Sequence, residues 1–321
     1  MTTDEKLAAI LAAVQTDPGN RGLARDPDDN LFSKWPTDFA LACRSLTEHS
    51  RPTAGIVTGF YIPTADPPAY ETDGPLGAVF LARALRGLKI TSLLATDPDG
   101  RAALEAGLTA AGTMSAVKEL PPAPDRTAAF QRTNSYRDFW SPTHYIFVER
   151  VGPGKDSRCR TMRGRDVTEH TRPAHLLIDE VPSDSVSQLD LAHDWGANVA
   201  TIGIGDGGNE IGMGKIPHET IVKNIPNGDL IHCRVPTDHL IVAGVSNWGA
   251  YALAAGVYVL RGVKPSADLF DPDREREILE VMVREGPLVD GVTGKQTATV
   301  DGLTWDEYAK PLVRIREILE S

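Results

Sequence analysis

Apolar and polar positions along this chain recur in two periods, one near 3.6 residues and one near 2, and the switches between them mark out helices and strands. Residues 1–15 (MTTDEKLAAILAAVQ) carry an apolar stripe of Leu7, Ile10, Leu11 and Val14 behind Asp4 and Glu5, which predicts a packing helix with acids at its N-terminal end. Asp, Pro, Gly and Asn crowd residues 17–30, which read as a surface connection. A strand running into a turn follows at 54–60 (AGIVTGF), then a helix at 75–88 (PLGAVFLARALRGL) with Pro in its first turn. The pattern next predicts a strand at 90–95 ending at Thr96 and Asp97, an Ala-rich helix at 100–111 and a short strand at 115–120. A helix from Asp125 leads to a fourth strand at 144–151 (HYIFVERV). Further strands are expected at 175–179, 197–202 and, as an edge strand, 230–235, with helices at 184–195 and 246–260. The dense charge at 271–280 reads as a solvated helix face.

Strands alternating with helices in this way predict an α/β fold. The expected architecture is a mostly parallel sheet with helices on both faces, a Rossmann-like three-layer sandwich. We divide the chain into an N-terminal helical segment, 1–50, and an α/β domain, 51–321. In such sheets ligands bind outside the carboxyl ends of the strands. That rule selects Thr58 with Tyr61, Thr96 with Asp97, Glu149 with Arg150, and Asp206 with Glu210.

The strand at 197–202 runs into a loop in which six of the twelve residues from Gly203 to Gly214 are glycine. Glycine lets backbone amides turn outward and a ligand approach the main chain, and Asp206, Asn209 and Glu210 project where little else does. Gly203, Gly205 and Gly208 satisfy the GxGxxG pattern of dinucleotide loops. Asp206, however, lies where a pyrophosphate would sit, and Gly212 and Gly214 each cost a following helix about 1 kcal/mol. A carboxylate loop facing a cation or an ammonium group fits better than a nicotinamide cofactor.

Composition narrows the partners. Hydrophobic residues make up 41% and charged residues 24%, ordinary for a globular protein, and the net charge of −11 disfavours a nucleic-acid backbone. Cys43, Cys159 and Cys233 form no CxxC pair and read as reduced thiols. There is no basic n-region and no apolar run of membrane length, so the expectation is a cytoplasmic protein with a small-molecule substrate, no membrane, and homo-oligomerisation left open.

Glu71 and Asp73, just before the helix at 75–88, are read equally as caps or as ligands. Residues 149–165 (ERVGPGKDSRCRTMRGR) hold six basic side chains, a plausible receptor for a substrate carboxylate. Ser246, Asn247 and Trp248 open the apolar helix as caps and core or as pocket wall. The histidines lack metal-site spacing, so any metal would be a hard ion, Mn²⁺ or Mg²⁺, on carboxylates. There is no GxSxG, and no Cys lies beside a base.

Five stretches, in order, resemble the C-terminal domain of the D-glutamate cyclase family: ETDGP (71–75), ER followed by Gly152 (149–152), GDGGNEIGMGK (205–215), AGVSNWGAYAL (243–253) and VDGL (300–303). The resemblance spans roughly residues 50 to 320. It implies a lyase that closes D-glutamate or a related amino acid to its lactam, 5-oxo-D-proline, with loss of water and with Mn²⁺. The rival reading is a non-catalytic module that binds an amino acid or a nucleotide. Lactam closure needs a base for the ammonium, a neutralised γ-carboxylate and an anchor for the α-carboxylate. On the cyclase reading, Asp206 and Glu210 hold the metal or the ammonium, Asp73 works as general acid/base, and Glu149 supports it. Arg150 holds the α-carboxylate, and Thr58, Asn209, Ser246, Asn247 and Trp248 line the substrate site. After the ER pair, the family's acidic, tyrosine-rich segment is replaced here by KDSRCRTMR (155–163).

Overall fold

The structure, a computed structural model, describes residues 1–122, 142–178 and 199–321. The strands are β1 (Thr53–Gly59), a short antiparallel hairpin of β2 (Tyr61–Ile62) and β3 (Ala69–Tyr70), then β4 (Thr91–Thr96), β5 (Ala116–Glu119), β6 (His144–Arg150), β7 (Ala200–Gly205) and β8 (His239–Val242). Outside the hairpin they form one six-stranded parallel sheet in the order β5-β4-β1-β6-β7-β8. The chain winds outward from β1 through β4 to β5, then returns to the other side of β1 and winds through β6 and β7 to β8. The order therefore reverses between β1 and β6, which opens a crevice at their carboxyl ends.

The principal helices are α1 (Thr3–Val14), α2 (Asp38–Glu48), α3 (Pro75–Gly87), α4 (Arg101–Ala110), α5 (His218–Asn224), α6 (Gly228–Ile231), α7 (Ser246–Arg261), α8 (Pro272–Glu285), α9 (Trp305–Tyr308) and α10 (Lys310–Glu320). Side chains alternate across the sheet. Ile56, Ile146, Val148, Ile202 and Ile204 join a core with α1, α2, α3, α7, α8 and α10. Val57, Tyr145, Phe147, Leu240 and Val242 face a second core with Leu23, Leu31, Ile221 and Ile231. Helices cover both faces, as the sequence pattern requires. Leu7, Ile10, Val14, Phe39, Ala42 and Leu46 of the 1–50 segment lie in the same core as the sheet. Among the described residues no helix is long and apolar enough to cross a membrane.

Several elements differ from the sequence expectation. The described part of the strand expected at 175–179, residues 175–178, is not a strand: Ala174–Leu177 form a 3₁₀ turn in which Leu176 N–H donates to Pro173 C=O, and a short apolar run after Pro does not reveal its period. The edge strand expected at 230–235 is α6 followed by an extended piece that pairs with the glycine loop, Cys233 N–H to Gly208 C=O and Gly212 N–H to Val235 C=O. The strand expected at 197–202 is shifted to Ala200–Gly205, so Gly203 and Gly205 lie inside it. A Cβ on Gly203 would come 2.7 Å from the Cα of Gly212, so glycine there lets the loop fold back over its own strand. The charged run at 271–280 sits on α8, yet Glu275 turns inward to a buried pair with Arg83. The helices expected from Asp125 and at 184–195 lie outside the described residues.

Two helix N-termini meet at the crevice and cap each other. Gly74, at φ +90°, turns the chain into α3, a conformation that a side chain would strain. Asp73, just ahead of this turn, accepts from Ser246 N–H (2.9 Å) and Asn247 N–H (2.8 Å), the first amides of α7. Asn247 returns the contact: its Oδ1 accepts from Gly74 N–H (2.9 Å) and Gly77 N–H (2.7 Å) at the start of α3. Each helix thus receives from the other the acceptor that its own N-terminus lacks. Asn247→Ala strands the buried Gly77 N–H and leaves Gly74 N–H only its contact with Asp73 Oδ1, and we expect it to lower the unfolding free energy by about 1 to 3 kcal/mol in urea titrations. A loss under about 0.5 kcal/mol, the level of a neutral surface change, would mean that the exchange is dispensable.

Candidate functional site

Glu149 owes its direction to a bulge. Thr58 pairs with Val148 and Gly59 with Arg150, so Glu149 is the extra residue between them, and its backbone sits at φ +45°. A bulge at a strand end re-aims one side chain, and a non-glycine residue held at positive φ is a strain that surrounding contacts must maintain. The Glu149 carboxylate is buried and accepts a hydrogen bond from Ser246 Oγ at 2.5 Å. With Asp73 from the β3–α3 turn and Asp206 from the end of β7, it forms a cluster in which one oxygen from each of the three lies within 4.8 Å of the others.

Arg150, the next residue, points the other way. Its side chain is fully buried and makes a bidentate pair with Asp97, and it also donates to Gly59 C=O (3.0 Å) and Arg172 C=O (2.6 Å). The expectation that Arg150 anchors a substrate carboxylate is therefore corrected. Strand alternation across the bulge sends it into the sheet end, where it ties β1 and β4 together.

Glu210 is also reassigned by its contacts. Its two oxygens accept from Asp206 N–H (2.9 Å) and Gly208 N–H (2.7 Å), so it staples the glycine loop from within, and it is not part of the three-carboxylate cluster. The candidate cation ligands are thus Asp73, Glu149 and Asp206 in place of Asp206 and Glu210. Chain distance misled here, because a carboxylate four residues from Asp206 can bond its amides while residues far away in sequence bring their oxygens to it.

The cluster borders a cleft of roughly 300 Å³ whose walls include Glu71, Glu149, Asp206, Asn209 and Asp301. Arg21 enters it from the connection between α1 and α2 that the sequence suggested was a plain surface loop. Nη1 of Arg21 pairs with Asp206 (2.7 Å) and bonds Gly244 C=O, and Nη2 pairs with Asp301 (2.8 Å). No periodicity marks a lone Arg in a polar loop, so sequence reasoning missed it. Asp301 did carry a signal, since VDG occurs twice, at 289–291 and 300–302. Arg163 and Arg165 of the basic run line the same cleft.

The other candidates fall into two groups. Asn209 lines the cleft, with Nδ2 bonded to Arg160 C=O at 2.8 Å and Oδ1 buried without a partner among the described residues. Ser246 and Asn247 act through Glu149 and Gly74 as described. Trp248 is buried among core residues and donates to Tyr308 C=O, and the Thr58 hydroxyl is buried beneath the turn at Gly74, so neither lines the cleft. After the GxGxxG stretch no helix begins until His218, which leaves that match without the helix N-terminus a dinucleotide loop requires.

Crowding like charges out of water shifts their titration. Burial, reinforced by Asp301, raises Asp73 to about 7 against the donated amides of α7. Burial pushes Glu149 well up, with Asp206 and Glu210 adding to it, and pushes Glu71 well up beside Asp301 and Asp73. Asp206 is also raised well above the usual range by burial, although Arg21 opposes the shift. These three carboxylates could hold a metal ion, and a set of hard oxygen donors that repel one another suits a hard cation rather than a soft one.

The sequence pattern of the family described as "D-glutamate cyclase-like, C-terminal" matches residues 10–316, a span that takes in Arg21 as well as the five stretches noted above. A curated relative, the human protein named "D-glutamate cyclase, mitochondrial", is 30% identical over 267 residues, covering 81% of this chain. The chain spans 40% of that relative's length. The residues that build the cleft therefore lie within a shared domain, and the chain belongs to the D-glutamate cyclase-like, C-terminal family.

Proposed function

We propose that this protein is a carbon-oxygen lyase that closes D-glutamate to 5-oxo-D-proline with loss of water. The observation that carries this reading is the convergence of Asp73, Glu149 and Asp206 on one buried point beside the cleft, in a chain of this family. Ring closure joins the α-nitrogen to the γ-carboxyl carbon and breaks a carbon–oxygen bond. The nitrogen gives up two protons, and the departing oxygen leaves as water after receiving two. Groups that exchange protons near neutral pH are needed on both sides, and burial raises Asp73 to about 7 and pushes Glu71 and Glu149 up as well. Asp301, which is paired with Arg21, would accept from the ammonium. Glu71, held protonated by burial, is placed to donate to the leaving oxygen.

Asp73, Glu149 and Asp206 would hold Mn²⁺ or Mg²⁺, which when bound supplies positive charge to neutralise the γ-carboxylate. Around it the chain's own residues fix geometry: Ser246 orients Glu149, Glu210 fixes the loop that presents Asp206, and Arg21 holds Asp206 against Asp301.

Asp73 retains its proton to about pH 7 in the folded chain but only to about 4 when unfolded, so folding takes up a proton between these values. The stability from this group is complete below about pH 4 and is lost as pH rises toward about 7. In excess chelator the melting temperature should therefore be higher at pH 5 than at pH 8, and Mn²⁺ should raise it more at pH 8. A chelated protein that melts higher at pH 8 would contradict this assignment.

The reaction is tested directly by incubating the protein with D- or L-glutamate, with and without Mn²⁺, and following the mass for loss of one water. D-Glutamate should react and L-glutamate should not. Asp206→Asn and Glu149→Gln should each slow turnover by about 100-fold or more while keeping a cooperative melt, because Arg21 retains Asp301 and Gly244 C=O in the first variant. Unchanged turnover in either variant, or no reaction of either glutamate, would reject the proposal.

A further inference from the structure

We propose that Arg163 and Arg165 are the receptor for the substrate's α-carboxylate, which makes this loop the element that sets substrate choice. The inference rests on the lactam-closing reading of the cleft. In that chemistry the α-carboxylate does not react, and the buried carboxylates would repel it, so it needs a cation elsewhere in the same cleft. Three cationic side chains line the cleft among the described residues: Arg21, Arg163 and Arg165. Arg21 has both terminal nitrogens committed, to Asp206 and Gly244 C=O through one and to Asp301 through the other. Arg163 and Arg165 are exposed and, among the described residues, neither has an acidic partner, the guanidinium of Arg163 reaching only Val292 C=O at 3.4 Å.

The other three arginines of the basic run are already used, and Lys155 does not line the cleft. Arg150 is saturated by Asp97, Arg158 pairs with Asp166, and Arg160 pairs with Asp156. The loop that carries the two free guanidinium groups is also held in place. Thr161 N–H donates to Arg165 C=O (2.9 Å) and Gly164 N–H to Thr161 C=O (2.8 Å), forming a tight turn with Gly164 at φ +79° between the two arginines. Asn209 from the glycine loop and Asn227 from the α5–α6 turn clamp it through Arg160 C=O and Met162 C=O. Asn209 thus belongs both to the loop that presents Asp206 and to the one that presents the arginines, so the two ends of the cleft are built to a fixed spacing. A planar guanidinium can accept a carboxylate in a bidentate fork, which lysine cannot reproduce.

The test compares D-glutamate with its α-carboxamide, which keeps the amine and the γ-carboxylate and removes the α-charge. Binding is measured calorimetrically in Mn²⁺ for the wild type and for the double variant Arg163→Gln/Arg165→Gln. The variant should bind D-glutamate about 10- to 100-fold more weakly, the scale of a lost charge-assisted contact, and bind the α-carboxamide as the wild type does. Equal weakening of both ligands would mean that the arginines serve the loop's shape, and an undiminished affinity for D-glutamate would mean that they do not touch it; either overturns the proposal. If the wild type binds D-glutamate without turning it over, the lyase reading fails while the receptor is still tested by the same comparison. If it does not bind D-glutamate, then L-glutamate, D-aspartate and glutarate are titrated instead. Wild-type affinity for none of them, or equal affinity of the variant for whichever binds, refutes the receptor.

Discussion

Bringing Glu71, Asp73, Glu149, Asp206 and Asp301 to one crevice is the constraint that the rest of this structure answers. Left alone, five buried carboxylates around one small space would repel one another and resist leaving water. The fold meets this in three ways. It inserts one guanidinium, Arg21, between Asp206 and Asp301, and it brings the N-terminus of α7 to the same point, where two of its amides donate to Asp73 and favour negative charge. Burial keeps protons on those that remain. A divalent ion on Asp73, Glu149 and Asp206 would complete the same balance.

The cationic side chains are sorted by depth. Arg150 is locked into the sheet end by Asp97, Arg21 is half in the site and wholly committed, and Arg163 and Arg165 stand at the exposed edge. The five arginines of one basic stretch of sequence thus separate into structural pairs and cleft-facing groups. The separation depends on which acid each arginine meets, and Asp97, Asp156 and Asp166 are the ones that decide it.

The alternation of periods made the parallel α/β sandwich legible, because buried strands such as β1 and β6 and the amphipathic helices announce themselves locally. Proximity in space was harder to read. The glycine loop pointed to Asp206, but it also suggested Glu210 as its partner in metal binding, when Glu210 spends its oxygens on the loop's own amides. The bulge that turns Glu149 inward and Arg150 away has no sequence mark, since both residues suit a strand end. Asp73 and Asn247 could be read as caps, as the motifs suggested, but each caps the helix of the other.

Arg21 gives the site an order of assembly. Its contact with Asp206 spans 185 positions, and Asp301 lies farther along still. Closing such long loops is the slow part of reaching a native topology. The sheet and its two helix ends can form from the middle of the chain, but the site cannot be electrostatically complete until the segment ahead of β1 has docked against a turn near the other end. A fragment beginning at residue 51 would contain every strand and all five of these carboxylates and lack the guanidinium that holds two of them together. The site is therefore a clasp between distant parts of the chain, open to loss whenever either end comes loose.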